Sequence, residues 1–386
     1  MRRLNVLFIT SWYPSREQPL RGIFVREHAK AVALYADVVV LHCPEPDPNP
    51  GLGWQCERET DLALTQGITT YRSRYRISPL PKTSYLVYLW AALRAFRHIV
   101  ASGFRPDVIH AHIYEAGVPA SLIGKLCGIP VVVTEHYSAF LRKSLTRGEL
   151  RKASFAFRSA RWVLPVSAAL QRGIEGHGIA ARFQVVPNVV DVALFAPLAR
   201  QRETHDPRRL LFVGTLVPIK GVSYLLQALV QLRQEHPDTS WEMDIVGNGP
   251  QREAYERQAA ELGLAGSVTF HDAKAKSEIA AFMGRADLLV LPSLAETFSV
   301  VVAEALTAGL PVLATACGGP QEIITADAGL LVPPRDADAL CAGLSRMLEN
   351  LHEYSGQCIS QHAVDRFSPQ VVGRALHAIY VSSERR

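Results

Sequence analysis

No run of apolar residues in the 386-residue chain approaches the roughly 18 that a membrane-spanning helix needs, so none is expected. Cysteine is sparse. Its six residues (Cys43, Cys56, Cys127, Cys317, Cys341, Cys358) form no CxxC pair and no metal-ligand spacing, which argues against a disulfide framework and a zinc site and fits a reducing cytosol. The start, MRRLNVLFITSWYPS, has the basic residues of a signal peptide. Its apolar run covers only the four residues Val6 to Ile9, so a buried strand is the better reading and export is not expected. Internal repeats and low-complexity segments are missing too. Acidic residues are short in the first half: residues 1–200 hold 25 Lys and Arg against 14 Asp and Glu, net +11, and the remainder holds 16 against 22, net −6.

A basic half beside an acidic one suggests that the first half meets something anionic, such as nucleic acid, an anionic lipid surface or a phosphorylated substrate. Much of the excess lies in RSRYR (72–76) and in the run from Arg142 to Arg161, which a solvated helix face explains equally well. The stretch 77–100, ISPLPKTSYLVYLWAALRAFRHIV, carries apolar and aromatic residues at helical spacing. Core packing is the default account of such a stripe, and a membrane-surface or acceptor-facing helix is the alternative.

What is abundant is alternation between short aliphatic runs and helical patterns, the mark of parallel sheets built from βαβ units. In the first half strands are expected at 5–10, 37–43, 107–112, 130–136, 162–167 and 183–188, and in the second at 210–215, 242–247, 267–270, 286–293, 311–316 and 329–334. The runs are continuous rather than alternating, as when helices cover both faces of a sheet. The fold class is α/β, with two doubly wound Rossmann-like domains. The first is set at 1–196, a polar, proline-bearing linker at 197–208, the second at 209–365 and a terminal helix at 366–386. Asp336-Ala-Asp338 matches a metal-binding DxD pattern literally, but Asp336 stands where a helix N-cap is wanted and is read as one.

In open parallel sheets, ligands lie beyond the carboxyl ends of the strands. There, Glu296 occupies the loop after ADLLVLPS, and Glu304 lies within the helix VVVAEALTA, for which Ser299 is the expected cap. The helical neighbours of Glu304 at three and four positions are Val300, Val301, Thr307 and Ala308, so no local ion pair accounts for it. A distant Lys or Arg could hold it. Alternatively it accepts two hydroxyls of a ligand, which suits a vicinal diol. Backbone N–H groups at Thr297, Phe298, Ser299 and Val300, at the positive end of the helix dipole, suit phosphate. Phosphate and diol together suggest a nucleotide sugar.

Lys220, in GTLVPIKG, could reach a diphosphate, or be an ordinary surface lysine. Gly22 precedes a helix and allows a ligand to approach the backbone. VGNGPQR around Gly247 has Gly-x-Gly without a third glycine and is weak as a dinucleotide fingerprint, though its backbone near Gly247 is expected to be donor-binding, at the base. His136, in TEHYSAF, ends a strand at the ligand-binding edge and can donate a hydrogen bond, move a proton or serve structurally. His110 and His112 share a strand face, but no third ligand is evident and no metal site is predicted.

These residues together resemble the retaining glycosyltransferases of family 4, which have the two-domain GT-B fold. The resemblance runs along nearly the whole chain, through RGIFVREHAKAV, RPDVIHAH, PVVVTEH, VVPNVVD, FVGTLVPIKG and VGNGP. It is most specific in ADLLVLPSLAETFSVVVAEALTAGLPVLATACGGPQEI (286–323), which carries an E-x7-E pattern. It implies an acceptor-binding first domain and a donor-binding second domain facing each other across a cleft, with the terminal helix crossing back. Glu296, with Phe298 and Ser299, would hold the donor sugar, Glu304 the ribose and Lys220 the diphosphate, while His136 would contact the sugar from the other domain. No metal or other cofactor is implied, lysine and helix N-terminus standing in for a cation.

The partners implied are a nucleotide-sugar donor and a saccharide or lipid-linked acceptor, with an anionic membrane surface possible and no nucleic acid. The setting is a cytoplasmic enzyme of cell-surface polysaccharide synthesis, at the inner face of the membrane if peripheral. A nucleotide-sugar epimerase or a non-catalytic binding protein are the alternatives. Departures exist: Thr215 stands where arginine is common, and Thr297-Phe298-Ser299 where Gly-Phe-Gly is common.

Overall fold

The computed structural model describes residues 2–43, 53–76, 83–195 and 206–384. It divides into two compact units, Met1–Val189 with Pro369–Arg386, and Val190–Ser368. Of the expected linker 197–208, all but the last three positions lie outside the described residues, as do 77–82 of the amphipathic stretch.

In the first unit, seven strands form one sheet: β1 (Asn5–Thr10), β2 (Asp37–His42), β3 (Trp54–Arg58), β4 (Thr69–Tyr75), β5 (Val108–His112), β6 (Val131–Glu135) and β7 (Trp162–Pro165). Their order is β3-β4-β2-β1-β5-β6-β7, parallel throughout except for the antiparallel edge pair β3 and β4. Around it run α1 (Ile23–Ala33), α2 (Leu62–Thr65), α3 (Ser84–Ala101), α4 (Ile113–Cys127), α5 (Ala139–Arg142), α6 (Arg147–Ser159) and α7 (Ala168–Glu175). The central strand β1 is apolar along its length because helices cover both faces, and Val6 and Phe8 pack in one buried cluster with Val25, Ala29 and Val32 of α1.

The second unit opens with α8 (Val192–Phe195) and builds a wholly parallel six-stranded sheet from β8 (Arg208–Val213), β9 (Trp241–Val246), β10 (Val268–His271), β11 (Leu288–Leu291), β12 (Val312–Thr315) and β13 (Gly329–Val332). The order is β10-β9-β8-β11-β12-β13. Its helices are α9 (Val222–Glu235), α10 (Arg252–Glu261), α11 (Lys276–Arg285), α12 (Val300–Thr307), α13 (Pro320–Ile323), α14 (Ala337–Glu349) and α15 (Gly356–Phe367). Strand order reverses between β8 and β11, the switch point where doubly wound sheets open a crevice. The last helix, α16 (Pro369–Glu384), belongs to the first unit and packs on α1. Gly373 permits that contact, since a Cβ there would lie 2.2 Å from the Ala31 carbonyl oxygen.

Both sheets match the α/β class expected, with differences at RSRYR and at 183–188. RSRYR falls mostly inside β4, where Arg72 is buried and donates to Glu59, to His42 Nδ1 at 2.8 Å and to the Pro14 carbonyl at 2.7 Å. That guanidinium is a structural tie rather than part of a free basic patch. The run at 183–188 is not a strand: it bridges β7 only between Val163 and Phe183, and although Gln184 N and Val186 N donate to the Val163 and Pro165 carbonyls at 3.0 and 3.1 Å, Pro165 has no N–H to return the bond. In α3, Tyr88, Ala92, Phe96 and Ile99 are buried as core packing requires, whereas Leu86 and Trp90 stay exposed.

The run from Arg142 to Arg161 is largely α6, whose N-terminus is closed by a capping box between Thr146 and Glu149. Asp336 caps α14, accepting from Ala339 N at 2.8 Å. No helix among the described residues is long and apolar enough to cross a membrane.

Candidate active site

At the switch point of the second unit, the loop between β11 and α12 is fixed by its backbone. Glu296 N donates to the Cys317 carbonyl at 3.1 Å, and Gly319 N donates to the Glu296 carbonyl at 2.8 Å. The approach is so close that a Cβ on Gly319 would lie 2.4 Å from Phe298 Cα. The Glu296 carboxylate is held through one oxygen, Oε1, which accepts from Lys220 Nζ at 2.6 Å and from Ser293 Oγ at 2.8 Å. Lys220 arrives from the 3₁₀ turn Pro218–Lys220 after β8. The next residue, Gly221, has φ 69° and sits where a Cβ would strike the Pro292 carbonyl oxygen at 2.0 Å, so the lysine-bearing turn rests on the end of β11. Two residues that the sequence offers separately are one ion pair, at the edge where β8 and β11 end.

Glu304 is buried, and the distant partner exists: Lys276 Nζ, from the first turn of α11, lies 3.2 Å from Oε1. This corrects the inference from missing local partners. Helical neighbours three and four positions away carry no charge, but the parallel sheet sets α11 beside the glutamate. Ser299 holds the N-cap position of α12 but not as a cap. Its φ of 73° places it in the left-handed region, its side chain makes no capping bond, and its buried hydroxyl has no partner among the described residues. The backbone N–H groups of Thr297 to Val300 likewise donate to nothing among the described residues. Phe298 is buried edge-on against Phe367, with ring centroids 5.5 Å apart.

Thr215 is exposed in the loop after β8. Gly247, after β9, has φ 150°, and a Cβ there would meet the Gly214 carbonyl oxygen at 1.9 Å, so the two loops interlock through glycine backbone. Gly22 has the same explanation within the first unit. Its φ is 70°, and a Cβ would lie 2.3 Å from the Trp12 carbonyl oxygen, so the chain's own backbone requires glycine here.

His136 lies just past β6 and is buried among imidazoles, its Nε2 3.1 Å from His112 Nδ1. Burial, with His28 and His110 nearby, pushes its pKa well below the ordinary range, so the ring is neutral at physiological pH. His110, by contrast, has both nitrogens engaged, with Tyr380 OH at 2.6 Å and Thr134 Oγ1 at 2.7 Å. Glu135, adjacent in sequence, is not among the residues the sequence points to. Its fully buried carboxylate accepts from His136 N and Tyr137 N at 2.8 Å and from Tyr114 N at 2.9 Å, and burial raises its pKa to about 7. It fixes the turn that carries His136. A buried acid beside a strand-end histidine, in TEH, was the available signal.

Residues 22–194 match the family described as Glycosyltransferase Family 4, and residues 198–362 match Glycosyl transferases group 1. An MMP alpha-(1->4)-mannosyltransferase of Mycolicibacterium hassiacum is 31% identical, over 87% of this chain and 82% of its own length. The chain belongs to the family 4 type of glycosyltransferase. A glycogen synthase of Mycobacterium tuberculosis is 28% identical to this glycosyltransferase over 99% of the chain and 95% of its own length. Among solved structures, Anabaena Alr3699/HepE in complex with UDP and glucose aligns with a TM-score of 0.74 at 20% identity, over 98% of this chain and 100% of its own. That likeness shows the GT-B fold.

Proposed function

We propose that this glycosyltransferase moves a sugar, with retention at the anomeric carbon and without a metal ion, from a nucleoside diphosphate to a hydroxyl of an anionic saccharide or lipid-linked acceptor. The observation that carries the reading is the Lys220–Glu296 pair at the ends of β8 and β11, beside the unbonded N–H groups that open α12. Lys220 neutralises charge on the departing diphosphate, and the N–H groups of Thr297 to Val300 receive its oxygens. Glu296, anchored through Oε1, offers its second oxygen to a sugar hydroxyl. Glu304, ion-paired with Lys276, takes the ribose diol. His136 donates or accepts as a neutral imidazole toward the donor sugar.

Retention follows when the anomeric C–O bond to diphosphate breaks and the acceptor oxygen bonds the same face through an oxocarbenium-like state. The acceptor proton passes to the departing phosphate oxygen. A nucleotide-sugar donor agrees with the UDP and glucose held by the Anabaena protein, and an anionic acceptor with the net +11 of residues 1–200. A cytoplasmic enzyme working at the inner membrane face is the setting this chemistry suits.

Purified Lys220→Ala and Glu296→Ala proteins, tested with a panel of nucleotide sugars, should each lose about 100-fold or more in kcat. Their unfolding temperatures should stay close to wild type. Transfer at the wild-type rate in both variants sinks the assignment.

A further inference from the structure

One cluster in the first unit exceeds what a single sugar contact needs. His28 on α1, His112 at the end of β5 and His136 after β6 place their imidazoles in a near-equilateral triangle, with ring centroids 5.5, 5.8 and 5.4 Å apart. One nitrogen from each lies within 4.8 Å of the others. All three rings are buried, and each keeps a nitrogen without a partner among the described residues: His28 Nδ1, His112 Nε2 and His136 Nδ1. Of these, His28 Nδ1 is a buried lone pair with no donor, because Nε2 faces the Pro187 carbonyl, and buried polar atoms are ordinarily satisfied; His112 Nε2 and His136 Nδ1 are the far nitrogens of rings already in contact through His112 Nδ1 and His136 Nε2.

We propose that His28, His112 and His136 form a three-histidine site for a divalent transition metal, zinc foremost.

The geometry fits. Three imidazoles on a tetrahedral ion, at metal–nitrogen distances of about 2.0–2.1 Å, set their ring centres about 5 Å apart, close to the triangle observed. His28 already holds a ligand's tautomer. Its Nε2 donates to the Pro187 carbonyl at 3.1 Å, which leaves the lone pair on Nδ1 and supplies the outer hydrogen bond that orients a metal-bound histidine. His112 Nδ1 and His136 Nε2, 3.1 Å apart, share one proton. That distance is also close to the edge of a coordination tetrahedron, about 3.3 Å, so an ion can replace the proton with little ring movement. The displaced proton passes to the other nitrogen of the ring that owned it, His112 Nε2 or His136 Nδ1, and both rings stay neutral.

A donor set of neutral imidazoles without carboxylate or thiolate selects zinc, cobalt, nickel or copper over magnesium, manganese or calcium. Phe8 stacks on His112 with centroids 5.0 Å apart, and Phe24 lies 4.2 Å from His136, which dries the surroundings. His110 is not a ligand, because both its nitrogens are engaged. The sequence showed two histidines on one strand face. The third and fourth come together only through the α1 and β6 packing.

Metal in this site takes the His136 lone pair away from the donor sugar. That consequence, slower transfer on loading, rests on the role proposed for His136, whereas binding itself does not.

The test uses chelator-stripped full-length protein with its cysteines alkylated, titrated with zinc chloride by calorimetry and with cobalt chloride by visible absorption. One equivalent of zinc should bind, and cobalt should give the intense bands of a tetrahedral site. His28→Gln, which keeps a donor for the Pro187 carbonyl, should weaken binding by about 100-fold or more. His136→Ala, at the outer edge of the cluster, should do the same if His28→Gln fails to fold. No stoichiometric zinc binding, or binding of unchanged affinity in these variants, overturns the proposal.

Discussion

At the scale of single residues, Ser299 shows how much hangs on one dihedral angle. A non-glycine residue at φ 73° costs about 1 kcal/mol, and its buried hydroxyl recovers nothing from a neighbour. Ser299→Gly should therefore raise stability by about 1 kcal/mol, a few degrees in melting temperature, read by calorimetry without ligand. A lower melting temperature would mean that the hydroxyl is satisfied in solution. Residue type alone pointed to a cap, because serine is a good one, and nothing in the local sequence reveals that the loop enters the helix left-handed. Lys220 and Glu296 were legible individually, as polar residues after strand ends, but their contact was not. It depends on β8 and β11 being neighbours, which strand order decides. Glu304 teaches the converse: a carboxylate without helical partners was legible, and Lys276 was not.

At the scale of elements, capping was the most readable feature of the second unit. Asp336 accepts from Ala339 N as its spacing predicts. Asp336→Ala should cost about 1 kcal/mol of stability and leave transfer kinetics unchanged, which paired melts and rate measurements would check. A loss of transfer at full stability would return the DxD pattern to consideration as a ligand. Continuous apolar runs locate eleven of the thirteen strands among the described residues, because a strand covered on both faces needs no polar alternation. The two that escaped, β3 and β4, are the antiparallel edge pair, where Glu57, Arg58, Arg72 and Arg74 interrupt the apolar pattern. The run at 183–188 differs for the opposite reason: it has a strand's composition, but Pro165 in β7 lacks the N–H that would continue the ladder.

At the scale of the whole molecule, buried neutral histidines make stability depend on pH. His42, fully buried and beside Arg72, has its pKa lowered to about 3, burial being the larger cause. The fold thus favours the uncharged ring, while the unfolded chain binds a proton near 6.5. The associated stability is present above about pH 6.5 and is lost as pH falls toward 3, by about 1.4 kcal/mol per pH unit for this one proton. Melting temperatures in chelator should fall between pH 6.5 and 5 and fall less in His42→Gln; a flat profile contradicts the burial. The sheets also have a consequence for crowding. Their margins are β3, β7, β10 and β13, the first five residues long and bearing Glu57 and Arg58, the others four residues each. Such stubs offer few unpaired backbone groups to a second copy. Edge-to-edge pairing of these strands between copies should therefore be weak in concentrated protein.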